Sequence, residues 1–290
     1  MGGRDSLDCR LKFARFCIST IPEMSAASSF LGASSQSVKS LLFDLNGVIP
    51  GMLIAVYFSL ATAAPWTIII YPAVISMRST IGSIFLGHYR SALHLGTMKA
   101  RLTNNTNAFY SLLSATFCLS LFSCLALWVA SIPFFYTSGF DMLPSLMVLV
   151  LTTGLSFLVV TPFSTAIVSS GYKGGMDLDV MAHPVESTLT DLMITTCYVL
   201  GLHFYFSFGS IAYTAIAVFD VLCFVMCAIL AFLGRRSSDF LNTIKESLMA
   251  LTICSIVVNV TGILLLNAST RLEEIKEVFI VYDRDRDGEE

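Results

Sequence analysis

The chain has 290 residues, of which 55% are hydrophobic and only 13% charged, and its mean hydropathy is +0.77. Soluble domains carry about 25% charged residues, so the composition specifies a polytopic membrane protein and excludes a water-soluble one. A formal net charge of -3 offers no basic surface for nucleic acid and excludes that class of partner.

Residues 1–36 read as a cytoplasmic N-terminal tail, because they carry Arg4, Arg10, Lys12 and Arg15 and lack a continuous apolar core ahead of a small-residue cleavage site. Seven apolar stretches follow, near 40–63, 65–97, 107–133, 142–170, 184–208, 210–233 and 247–267. Each is long enough to cross a hydrocarbon core as a helix of about 20 residues, so the fold class is all-α. The second stretch would measure about 50 Å as a straight helix against a core of about 30 Å, and so it must protrude, tilt or break. Its Ser79, Ser83, Gly87 and Ser91 recur at i, i+4 spacing, as either a helix-packing face or a pore-lining one. Only Phe208, Gly209 and Ser210 separate the fifth stretch from the sixth.

Charge placement orients these spans. Lys39 precedes the first, Lys99 and Arg101 follow the second, Lys173 follows the fourth, and Arg235, Arg236 and Lys245 follow the sixth, whereas the loops at 62–64, 134–140 and 208–210 hold no Lys or Arg. The positive-inside rule therefore puts the N-terminus and the 177–183 loop in the cytoplasm, with the cell membrane as the expected location.

The segment 176–191, MDLDVMAHPVESTLTD, carries one carboxylate, Asp191, into an apolar span. An acid inside a membrane is costly and marks a functional position. With Pro184 in the first helical turn, His183, Ser187, Asp191 and Thr195 fall on one face at successive i, i+4 positions. His183 stands either at a pore mouth or merely at a helix start. Arg78, mid-span in the second stretch, needs a partner there, either Asp191 or the carbonyls of a helix break. Asp220 in the sixth stretch is either a relay group or the partner of a neighbouring hydroxyl.

Two segments, YPAVISMRSTIGSIFLGHYRSALHLGT at 71–97 and YKGGMDLDVMAHPVESTLTDL at 172–192, resemble the MgtE-type divalent-cation transporters, most closely the tandem-domain versions of archaea and of eukaryotic solute carriers. The resemblance covers roughly 37–208 and implies a five-helix transport unit there, with a central magnesium pathway lined at Asp191 and near His183. It implies bend or helix-start roles for Arg78, Gly82 and Pro184. The chain departs from the family pattern in two places. Ser79-Thr80 stands where the family has Gly-Asn, and Asp177-Leu178-Asp179-Val180 where it has Asp-Pro-Asp-Asn. Thr80 can still bind a water of a hydrated ion, whereas Val180 cannot.

The expected substrate is Mg²⁺ or a related divalent cation, held through one or two carboxylates with its waters kept. Asp191 and Asp179 are the expected metal-contacting carboxylates, Ser187, His183 and Thr80 the polar lining, and Asp177 with Asp179 the cation-concentrating mouth. Eight cysteines without a CxxC pair argue against zinc or copper. No resident cofactor is expected, and no hydrolase, metalloprotease or nucleotide-binding motif occurs, so the chain is not read as an enzyme.

Setting residue n against n+211 pairs Gly51 with Gly262, Leu53 with Leu264, Ile69 with Ile280 and Tyr71 with Tyr282. On this reading 209–238 is a linker crossing that restores the orientation of a following parallel repeat. Residues 239–290 are then the first span of a truncated second repeat plus an acidic tail, in which Asp283, Asp285, Asp287 and Gly288 mimic the start of an EF-hand loop. A half-transporter so built is expected to pair as a homodimer in the lipid bilayer. The alternatives are a non-transporting membrane subunit or incomplete half, and a carrier of another cation or an organic substrate.

Overall fold

The computed structural model describes residues 48–56, 64, 66–138, 142–173 and 183–286, and every regular element among them is a helix. In chain order they are α1 (Val48–Val56), α2 (Trp66–His94), α3 (Asn107–Ser138), α4 (Met142–Lys173), α5 (His183–Ser207), α6 (Gly209–Gly234) and α7 (Ser238–Arg286). Five stretches, Asn107–Ile132, Met142–Lys173, Ser187–Ser207, Gly209–Gly234 and Ser238–Leu264, are long and apolar enough to cross a membrane. The all-α membrane class expected from composition is the class observed. At 29 residues α2 has the length, but Arg78, His88, Arg90 and His94 dilute its apolar character.

Local chemistry sets two of the boundaries. α2 ends where Gly96 adopts φ +70, so that its N–H reaches the Leu93 carbonyl (3.1 Å) and the Thr97 N–H reaches that of Ala92 (3.0 Å). This left-handed stop satisfies carbonyls that would otherwise be orphaned. Only Phe208 separates α5 from α6, and Gly209, which opens α6, takes φ +52 at that corner, a conformation a side chain would resist.

α4 is the central post. Val148, Val150, Thr152, Ser156, Thr165 and Val168 lie on all sides of it and are fully buried, and α2, α3, α5 and α6 all pack on it. α1 leans on α5. α6 touches the bundle through one stripe, Ala212, Ile216, Asp220 and Cys223, and turns its other faces outward. Among the described residues the small-residue stripe of α2 is not a packing face. Ser83, Gly87 and Ser91 are exposed, and a Cβ placed on Gly87 would meet nothing within 4 Å.

α7 runs 49 residues, far beyond the span expected at 247–267, and continues as helix through Asp283 and Asp285, so no EF-hand loop opens there. It lies along α2 and α3. The α3 contact is pinned by buried Asn259, whose Oδ1 accepts from the Ser131 hydroxyl (2.5 Å) and whose Nδ2 donates to the Leu127 (3.2 Å) and Ser255 (3.0 Å) carbonyls. Interhelical hydrogen bonds in membranes contribute about 0.6–2 kcal/mol. Asn259→Ala is therefore expected to destabilise the purified protein by about 1–2 kcal/mol, read from its unfolding midpoint in detergent; an unchanged midpoint would show that this knot is dispensable.

Candidate functional site

The site is built along the seam between α2 and α5. α5 opens at His183 with Pro184 in its first turn, which leaves Ser187, Asp191 and Thr195 on one face at i, i+4 spacing. On α2, Thr67, Tyr71 and Arg78 recur at i, i+4, i+11 and face the same way. The buried Tyr198 hydroxyl of α5 donates to the Thr67 carbonyl (2.6 Å), and the Tyr71 hydroxyl meets that of Thr195 (3.1 Å). The single Thr195 proton is already given to the Asp191 carbonyl (2.7 Å), so Tyr71 is the donor in that pair. The two tyrosine rings are 5.6 Å apart, which closes the seam with aromatic surface.

These bonds fix an antiparallel register in which residue 67 faces 198 and residue 71 faces 195. Continued down the seam, that register brings Arg78 and Asp191 within about one helical turn of each other, and helical side chains lean toward the N-terminus of their own helix, so the two lean together. Asp191 is half-buried, and its charge acts on Tyr71. Arg78 is 4% exposed, and Nη2 donates to the buried Thr161 hydroxyl of α4 at 2.7 Å. Its guanidinium carbon lies 5.3 Å from the centre of the Phe157 ring, also on α4. A planar cation so stacked and bonded anchors α2 to α4. α2 stays helical through Arg78 and Gly82.

The structure gathers Ser187, Asp191 and Arg78 about this seam but does not bring Thr80 to it. The Thr80 hydroxyl donates to the Ser76 carbonyl (2.8 Å) and contacts the Cys254 sulfur of α7 (3.8 Å). Two residues beyond Arg78 is about 200° around a helix, which turns Thr80 away from α5. Asp177 and Asp179 lie outside the described residues, as do the side chains of His183 and Pro184. Among the described residues no three His, Cys, Asp or Glu side chains cluster as a metal site. Asp220 stands apart, 8% exposed on α6 beside Cys124 and Cys223, with one carboxylate oxygen, Oδ1, lacking a hydrogen-bond partner.

Sequence reasoning missed Tyr71, Thr161, Phe157 and Tyr198. The one available signal was the seven-residue interval between Tyr71 and Arg78, which places both on one face of α2.

Residues 71–201, which run from Tyr71 on α2 to Gly201 on α5 and so contain the seam except Thr67, match the family model MgtE, divalent cation transporter. The segment is an MgtE divalent cation transporter domain. No curated protein and no solved structure matches the chain. The MgtE domain thus comprises α3, α4 and most of α2 and α5, while α1, α6 and α7 lie outside the matched residues and pack directly on it.

Proposed function

We propose that this protein moves Mg²⁺, or a closely related divalent cation, along the α5 face centred on Asp191, and that it does so as a dimer. The observation that carries the reading is a half-buried carboxylate in a membrane-crossing helix of an MgtE domain. A hydrated Mg²⁺ needs only oxygen groups at water-shell distance, which Asp191 and Ser187 one turn away can supply. His183 and the Asp177 and Asp179 carboxylates continue that lining toward the cytoplasmic mouth, the N-terminus being cytoplasmic by its flanking charges. Two copies facing each other bring two Asp191 charges to one divalent ion. The exposed Ser83, Gly87 and Ser91 stripe on α2 suits the close approach of that second copy.

One observation favours a non-transporting subunit instead. Thr195, on the same face as Asp191, is engaged with Tyr71 in an interhelical bond, as a purely structural seam would require. The test is cation entry into liposomes reconstituted with the full chain, offering Mg²⁺, Ca²⁺ and Mn²⁺ in turn, with particle mass measured alongside. The expected result is Mg²⁺ entry from particles of twice the chain mass. Absence of flux for all three ions from folded protein would sink the transport reading, and flux from single copies would sink the dimer.

A further inference from the structure

Between α3, α4 and α6 the bundle leaves a lateral recess of about 450 Å³. That lies within the roughly 300–1,000 Å³ of small-molecule sites. Its walls include Tyr110 and Phe117 of α3, Phe157 and Leu158 of α4, and Met226 and Leu230 of α6. Phe117 and Phe157 meet edge-to-face, with centroids 5.0 Å apart, and form its floor. At Gly154 an added Cβ would sit 2.8 Å from the Phe219 ring, so the bare glycine is what lets α6 close on α4 at this point.

One end of the recess is cationic. The Tyr110 hydroxyl accepts the Asn105 N–H (3.4 Å), and the Asn105 side chain donates to the Lys99 (2.8 Å) and Arg101 (2.7 Å) carbonyls, which folds that basic loop against Tyr110. On the other wall α6 passes Leu230 and ends at Arg235 and Arg236, and Ser237 bonds Ser111, the neighbour of Tyr110, at 3.0 Å. Lys99, Arg101 and Arg236 are exposed there, with Asp239 in the first turn of α7 offsetting one of the three. Arg235 is held 4.1 Å from the centre of the Phe232 ring, about 200° around α6 from Leu230, and so lies off the recess side. The opposite end reaches Leu158, midway along the 32-residue α4. The recess therefore runs from a charged rim to the middle of a spanning helix.

We propose that this recess binds one acyl chain of an anionic phospholipid, with the headgroup phosphate held by Arg236 and the Lys99–Arg101 loop. The recess is walled by apolar and aromatic side chains and floored by two rings, which suits a flexible methylene chain. The charge selects the headgroup, since each Lys or Arg near the surface favours an anionic lipid by several-fold. Phe157 also carries the Arg78 guanidinium, so an occupant of the recess touches the ring that fixes α2 to α4. This inference is independent of whether Asp191 passes a cation.

The test is photolabelling of the full chain in nanodiscs with phosphatidylglycerol bearing a diazirine in its acyl chain, followed by peptide mapping. Label is expected on the recess walls, displaced by unlabelled phosphatidylglycerol and not by phosphatidylcholine. The double variant Arg101→Gln with Arg236→Gln should lower that labelling about thirtyfold, and leave labelling of the outer α6 face unchanged. Met226→Trp, which fills the recess while keeping both arginines, should abolish it in protein that still elutes as one species. Even labelling around α6, equal displacement by phosphatidylcholine, or protection of the recess by a cross-linkable second copy would each overturn the proposal.

Discussion

Asp191→Asn is expected to lower divalent-cation flux at least tenfold at equal reconstitution of folded protein. The substitution is nearly isosteric, and the hydrogen bonds from Thr195 and Tyr71 remain available to it. Thr195 donates to the backbone carbonyl of residue 191, and Tyr71 bonds Thr195. What changes is the charge. Across one water shell, at about 5 Å, a carboxylate and a divalent cation attract by roughly 1.7 kcal/mol even at the dielectric constant of water, and by several times that at the effective dielectric of a protein. The lower figure alone corresponds to more than tenfold in occupancy. Ser187→Ala removes only a neutral water-binding group and is expected to cost roughly fivefold or less. Wild-type flux in Asp191→Asn would mean that the ion takes another route, and a fall matched by lost folding would return Asp191 to a structural role.

Much of this architecture was legible because a hydrocarbon solvent leaves few choices. An apolar run of about 20 residues must be a helix, and positions and order of the spans follow from hydropathy. The same reasoning underestimated α7. Its 268–286 portion is helical but polar, with Glu273, Glu274, Lys276 and Glu277 in succession, so hydropathy registers only the part suited to lipid. Asp191 was legible because an acid in an apolar span has few bland explanations. Tyr71, Phe157 and Thr161 were not, because hydroxyls and rings are ordinary residues of membrane helices, and only the fold shows that Phe157 and Thr161 converge on Arg78 and that Tyr71 reaches Thr195. Thr80 illustrates the opposite error. Its place where the resembled family carries Asn suggested a pathway-lining role, but the helix turns it toward Cys254 and α7. The stripe of Ser83, Gly87 and Ser91 had the spacing of a packing face, yet spacing does not say whether a partner exists within the same chain.

Arg78→Lys tests whether the guanidinium acts as an anchor or only as a charge, and its expected effect on stability is the largest of any single change at this site. Lysine keeps the charge but loses the planar fork that donates to Thr161 at 2.7 Å and lies over Phe157. A charge-assisted hydrogen bond contributes about 1.5–3 kcal/mol, and a desolvated cation–π contact up to about 2. A loss of about 3 kcal/mol is therefore expected, or an unfolding midpoint lower by roughly 6–12 °C. Phe157→Leu, which keeps the hydrogen bond and removes the ring, should cost less. The double variant should lose less than the two singles combined, because the stacking energy can be lost only once. Strict additivity would mean that Phe157 serves α4 only as packing, and α2 would then be held at this level by the Thr161 bond and the Tyr71 and Tyr198 contacts to α5. A coupling of about 1 kcal/mol would instead make ring and guanidinium one unit, joining the wall of the lateral recess to the helix that faces Asp191.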